Sequence, residues 1–324
     1  MSPKIEKNQK ETIQEEPMFG ISPQAKRLSK AARKLAKIDS NVLIIGETGT
    51  GKEFTARHIY QLSPRNKGAF VRINCSALGK TIDFKNLLGQ NLEGMQTVTR
   101  SIGLLEKANN GILFLDSVSN MNLEYQDELL QAIKTKKLSK VNGNENIEVE
   151  MRVISTSNHD LTPDIESGKF KKDLYYQLNA LTLVIPPLRE RKQDIPELFS
   201  FFLKKHCELQ GREIPPVQAE FFESILEHDW KGNIRELENT VQNLVLMSPE
   251  GVLSPDFLSY RIKRHPLDFL EPTNLKRVIS EIEIYLIKKA LNKFGGNQVK
   301  AAKLLGLPEP TLRFKMKKYA IPKQ

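Results

Sequence analysis

The sequence predicts an α/β protein in which a parallel sheet is covered by helices and followed by all-α segments, and three observations carry that expectation. Apolar runs with strand character alternate with helix-like segments from about residue 18 to 185, and past Pro186-Pro187 the strands stop. The run Val42-Leu43-Ile44-Ile45 also passes straight into a glycine-rich turn ending in Lys52. Strands are expected at 42–45, 69–73, 112–115, 152–156 and 181–185, with helices at 52–61, 102–107 and 124–136 between them. Three helices, 195–210, 219–228 and 233–247, then form a smaller all-α lid. Residues 1–17 are charged and aperiodic and read as a disordered lead, so that no sensory domain is expected before the loop at 46–52. Basic residues mixed with Pro266 and Pro272 mark 261–273 as a linker, and helices return at 275–294, 298–304 and 309–319.

Gly46-Glu47-Thr48-Gly49-Thr50-Gly51-Lys52 is a phosphate-binding loop by composition and context. Glycines let successive N–H groups converge on a triphosphate, the following helix adds its positive end, and Lys52 supplies a cation for the outer phosphates. Glu53 stands where a Ser or Thr hydroxyl would touch Mg²⁺, so metal contact must come from elsewhere or through water. Asp116, at the end of the apolar run 112–115, is the expected metal carboxylate. Ser117 follows it where hydrolytic proteins of this class place a Glu that polarises water, and a hydroxyl cannot be that base. Asn158, ending the 152–157 run, could orient the γ-phosphate and water, or simply form a turn before His159-Asp160.

Composition excludes several classes. With 39% apolar and 27% charged residues the chain reads as ordinary globular protein. No apolar run approaches the ~18 residues of a membrane span, and the charged N-terminus is unlike a secretory signal, so a cytoplasmic protein is expected. Cys75 and Cys207 lie far apart and suggest buried thiols rather than a disulfide or zinc framework. Residues 261–324 hold 15 of the 49 Lys+Arg and 5 of the 39 Asp+Glu, a balance of +10 that equals the net charge of the whole chain. A cationic module on a neutral body points to a polyanion. Within it, residues 297–319 read as helix-turn-helix, with Val299, Ala302, Leu304 and Leu305 ahead of a turn at Gly306-Leu307-Pro308. In the second helix Leu312 and Met316 share a packing face, leaving Thr311, Arg313, Lys315, Lys317 and Lys318 for the groove and phosphates of double-stranded DNA.

The segments GETGTGKE (46–53), FVRINCSAL (70–78), GILFLDSV (111–118), RVISTSNHDL (152–161), FKKDLYYQLNALTLVIPPLRERKQDI (170–195) and WKGNIRELENTVQNLV (230–245) together resemble the AAA+ domain of sigma-54-dependent transcription activators, the bacterial enhancer-binding proteins. The resemblance implies a ring-forming ATP-binding core over 18–187, a helical lid over 188–260 and a Fis-type DNA-binding domain over 274–324. It puts Asn158 at sensor one and Arg235 at sensor two, reaching the nucleotide from the lid; the plain alternative for Arg235 is an ion pair with Glu236 or Glu238. It also implies a dimer face on the 275–294 helix, with Val278, Ile282, Tyr285, Leu286 and Ala290.

Three positions depart from that family. Its sigma-contacting loop carries GAFTGA, and residues 92–99 here read LEGMQTVT. Ser117 replaces the hydrolytic Glu. The segment the family writes FRxDLYYRL has Lys171 and Gln177 at its two trans-acting arginine positions, and neither offers the planar guanidinium fork. The sequence therefore predicts a DNA-binding regulator that uses ATP and Mg²⁺ to control assembly, with impaired hydrolysis and sigma-54 contact. Alternatives are a working hydrolase in which Glu47 or Glu53 replaces the missing Glu, and an accessory subunit. The expected partners are DNA and a homo-oligomer, dimer to hexamer, or a hetero-oligomer with a related activator; contact with RNA polymerase is left open.

Overall fold

A computed structural model describes residues 20–93, 98–141, 146–217, 219–247, 253, 275–319 and 321. The 1–17 lead and the 261–273 linker lie outside these residues. The chain divides into two compact units, Met1–Lys263 and Arg264–Gln324. In the first, α1 (Pro23–Ala36) and β1 (Val42–Ile45) lead to α2 (Lys52–Gln61), β2 (Phe70–Asn74) and α3 (Phe84–Leu88). A hairpin of β3 (Gly89–Glu93) and β4 (Val98–Ile102) precedes α4 (Leu104–Lys107), β5 (Ile112–Asp116) and α5 (Leu123–Thr135). A second hairpin, β6 (Lys137–Ser139) with β7 (Asn146–Glu148), is followed by β8 (Arg152–Ser157), α6 (Thr162–Glu166), α7 (Lys172–Leu178) and β9 (Leu181–Val184).

The five expected strands form one parallel sheet in the order β2-β5-β8-β1-β9. Successive side chains on a strand face opposite ways, and both faces are covered. Leu43, Leu113, Leu115 and Val153 enter the core that holds Leu129 of α5 and Leu174 of α7. Val42, Ile44, Ile112, Phe114 and Ile154 enter the core on the other side, with Ala32 of α1 and Ile59 of α2. Arg152 is buried beside the end of α1, where its guanidinium donates to Leu35 O at 2.8 Å and to Ser40 O in the following turn at 2.9 Å, so the charge is met by carbonyls. The helix expected over 102–107 is shorter than predicted: Ile102 belongs to β4.

The lid comprises α8 (Ile195–Leu209), α9 (Ala219–Glu227) and α10 (Asn233–Met247). Trp230 is fully buried among Phe199, Phe221 and Leu237, and its indole N–H donates to Ile225 O at 2.7 Å. Trp230→Ala is expected to destabilise the protein by about 3–5 kcal/mol, because both the buried surface and the cavity left behind count against the variant. Urea unfolding followed by circular dichroism checks this; a loss under ~1 kcal/mol contradicts the burial. Both Cys75 and Cys207 are free and buried. No described helix is long and apolar enough to cross a membrane.

The second unit contains α11 (Leu275–Lys293), α12 (Gln298–Leu304) and α13 (Glu309–Lys318). Its core is Ile287, Ala290, Leu291, Ala301, Ala302, Leu312 and Met316. Asn297 caps α12 by accepting the Lys300 N–H, and Gly306 turns the chain at φ +65°. Two expectations are corrected here. Ala290 is spent in this core and is not on a free face of α11, whereas Tyr285 and Leu286 are exposed. Val299 and Leu304 are exposed, the packing being done by Ala301, Ala302 and the partly buried Leu305.

Candidate functional site

The parallel sheet delivers the ends of β1, β5 and β8 to one edge, where ligands of open α/β sheets bind. Gly46 donates to Ser157 O at 3.1 Å as the chain leaves β1. Gly49 has φ +81°, and a Cβ there would lie 2.2 Å from Gly232 O, so a side chain would drive the loop off the lid. Gly51, at φ +95°, starts α2. Beside the loop opens a cavity of about 680 Å³, within the range of small-ligand sites. Thr48, Gly49, Thr50, Gly51, Lys52, Glu53, Asp116, Ser117, Asn158 and Arg235 all line it.

The Lys52 ammonium is buried, donating to Gly46 O at 2.5 Å, Glu47 O at 2.9 Å and Asn158 Oδ1 at 2.7 Å. Burial lowers its pKa to about 8; Asp116 and Glu47 oppose that shift and Arg235 adds to it. Asp116 takes Thr156 Oγ1 at 3.0 Å and the Arg72 guanidinium at 2.9 Å. Ser117 is in the left-handed region at φ 61°, its N–H donating to Thr156 Oγ1 and its hydroxyl 3.4 Å from Asp116 Oδ1. Arg235 donates its backbone N–H to Gly49 O at 3.3 Å. Glu236 instead bonds the Gly232 N–H and Glu238 pairs with Lys205, so neither is committed to Arg235.

Some expected site residues lie elsewhere. Glu47 does not line the cavity: its carboxylate takes two bonds from Arg189, at 2.6 and 2.8 Å, and one from Asn233. Those bonds hold its pKa down to about 2. Lys171 and Gln177, on or beside α7, do not line the cavity of their own chain either. The Lys171 ammonium pairs with Asp127, and the Gln177 carbonyl accepts from Asn41. Leu92-Glu93 end β3 and Val98-Thr99 begin β4, so the loop compared with GAFTGA tips a hairpin whose residues 94–97 lie outside those described.

In the second unit α13 presents Arg313, Lys317 and Lys318 to solvent and packs through Leu312 and Met316; Thr311 is half-buried. Arg313 pairs with Glu309 one turn back. Lys315 differs from these three: its ammonium is 2.6 Å from Glu283 on α11, which also accepts the Tyr319 hydroxyl at 2.6 Å. That side chain ties α13 to α11 and does not extend free from the exposed face.

Three family matches span the chain: the Sigma-54 interaction domain over residues 18–184, the AAA+ ATPase lid domain over 189–269, and the Fis family of bacterial regulatory proteins over 278–319. The transcriptional regulatory protein FlbD of Caulobacter vibrioides is 35% identical, covering 95% of this chain and 71% of its own length. The chain belongs to the sigma-54-dependent transcriptional regulators. The transcriptional activator RocR of Bacillus subtilis is 34% identical over 94% of this chain and 68% of its own length. Crystal structures of NtrX from Brucella abortus in complex with ADP and with ATP each superpose with TM-score 0.69 at 29% identity; the ADP complex covers 94% of this chain and 69% of that one. As a sigma-54-dependent regulator the chain carries an AAA+ ATPase module and a Fis-type helix-turn-helix DNA-binding domain.

Sequence reading missed the residues that bind this regulator's loop to its surroundings. Asn233, fully buried at φ 56°, donates to Thr48 O at 3.0 Å and accepts the Leu188 N–H at 2.8 Å. Arg191 donates to Thr50 O at 3.1 Å. A signal existed for Asn233, since Asn after Gly at a helix start favours a left-handed conformation. None existed for Arg72, a strand residue whose partners come from two other elements.

Proposed function

We propose that this regulator binds ATP in the cytoplasm as a ligand that controls assembly on double-stranded DNA, and hydrolyses it only slowly. Lys52, Asn158 and Arg235 would face the phosphates, and the loop N–H groups would cradle them. Asp116, a hard oxygen donor at a strand end facing the cavity, fits the single carboxylate that Mg²⁺ commonly takes beside phosphates. Held there, Mg²⁺ would supply positive charge against the phosphates.

The observation that carries slow turnover is the state of the acids. Glu53, Asp116 and Glu238 are the acidic residues lining the cavity, and each is in an ion pair: with Arg57 and Arg72, with Arg72, and with Lys205. Glu47, held near pKa 2, is too weak a base to take a proton from water. The substitutes that would support a working hydrolase are thus both engaged. Thermal unfolding with and without millimolar ATP tests nucleotide binding: ligand at 100 times its dissociation constant adds about 2.7 kcal/mol. Lys52→Ala should abolish that gain, and no gain in the wild type refutes the reading.

Affinity for ATP should be flat up to about pH 8 and fall above it, because Lys52 loses its proton near pH 8 in the free protein and must regain it to meet phosphate. Here the bound form has the higher pKa, so binding takes up a proton. The decline should approach roughly tenfold per pH unit between the free and bound pKa values, read by calorimetry. Constant affinity from pH 7 to 10 contradicts it.

A further inference from the structure

A guanidinium occupies the place where a phosphate-loop site holds its metal. Two protein positions flank Mg²⁺ in such sites, the residue after the loop lysine and an acid ending a nearby strand. Here they are Glu53 and Asp116, and Arg72 bridges them, 2.8 Å from Glu53 Oε2 and 2.9 Å from Asp116 Oδ2. The arginine reaches over from β2, which pairs with β5 along its length and so sets Arg72 one strand away from Asp116. Its side chain is 43% exposed and lines the cavity, so it is within reach of a ligand.

Charge explains what that placement does. A triphosphate entering beside two carboxylates meets repulsion that a divalent cation ordinarily removes. Arg72 supplies positive charge at the same point before any metal arrives. A guanidinium has five N–H donors in a planar fork that matches phosphate oxygens, and the two carboxylates do not use them all. Glu53 also keeps Arg57 as a second partner, so it stays neutralised if Arg72 turns toward phosphate.

We propose that Arg72 stands in for Mg²⁺ in nucleotide binding, so that the regulator holds ATP nearly as well without the metal as with it. This rests on the reading that the cavity takes ATP. With Mg²⁺ bound, Asp116 would hold the metal, and the metal's charge would make that of Arg72 dispensable. When Mg²⁺ is absent, Arg72 remains as the neutralising charge.

Titration calorimetry of the full chain with ATP, in millimolar MgCl₂ or excess EDTA, tests the assignment. Wild-type dissociation constants should agree within about threefold between the two conditions, under 1 kcal/mol apart. Arg72→Gln should bind at least about tenfold more weakly in EDTA than in MgCl₂, a loss that the wild type does not show. Arg72→Lys, which keeps the charge, should restore much of the metal tolerance. A wild type that loses tenfold or more in EDTA overturns the proposal, as does an Arg72→Gln variant no more sensitive to EDTA than the wild type. Absence of ATP binding in both conditions overturns the nucleotide reading as well, whereas binding only with Mg²⁺ overturns the role of Arg72 alone.

Discussion

Purified protein saturated with ATP and Mg²⁺ is expected to release phosphate far more slowly than about 1 s⁻¹, the low side of typical enzymes. Ser117 offers no base, and the acids around it are in ion pairs. Lys171 and Gln177 stand where the resemblance puts trans-acting arginines, and such fingers are worth about 10³ to 10⁵ in rate in other phosphoryl-transfer proteins. Ser117→Glu alone should therefore help little. Ser117→Glu with Lys171→Arg and Gln177→Arg should gain more than the separate changes multiply to, because positioned water and stabilised charge act on one transition state. Single-turnover phosphate release measures this. Open-complex formation with sigma-54 polymerase should stay absent even in the triple variant, since residues 92–99 still lack the GAFTGA sequence. Wild-type turnover near 1 s⁻¹, or any open complex, would favour the hydrolase reading.

Removing residues 296–324 should eliminate DNA binding, because it deletes α12 and α13 together with the exposed basic face. Deletion also strips partners from Ile287, Ala290 and Leu291, so a second variant keeps the core intact. Changing Arg313, Lys317 and Lys318 to Ala leaves Leu312, Met316 and the Lys315–Glu283 pair in place. That variant should bind weakly, and its dependence of log affinity on log salt should be shallower by up to about three, one for each phosphate that is no longer neutralised. Fluorescence anisotropy over a salt series reads both quantities. Equal affinity of the truncated and full-length chains would place DNA binding elsewhere.

The sheet was legible because its central strands β5, β8 and β1 are buried nearly throughout and its edge strands still carry apolar residues such as Ile73 and Leu183, and β1, α2, α10 and α12 fall at the expected residues. The two hairpins were not. β3 and β4 join polar residues such as Gln90, Asn91, Thr99 and Arg100, and β6 and β7 have three residues each, too short for a period to register. The loop and Asp116 could be read locally, as a motif and a strand end. What engages their neighbours could not: Glu47 meets Arg189 from 142 residues away and Asn233 from 186. The pairing of Lys315 was hidden for the same reason, since Glu283 is 32 residues distant and local pattern leaves the lysine on a solvent-facing helix.

The contact of Asn233 and Arg235 with the loop backbone has a thermodynamic corollary. One amide holds Thr48 O and Leu188 N–H, and the Arg235 N–H holds Gly49 O, so the lid's last helix is fastened to peptide groups of the glycine-rich loop. Any ligand that reshapes those peptides biases the lid's orientation, and by linkage anything that fixes the lid alters the ligand's affinity by the same factor. A neighbouring subunit that clamps the lid would therefore tighten or loosen nucleotide without touching it, and the ratio of affinities in assembled and free chains would equal the nucleotide's effect on assembly.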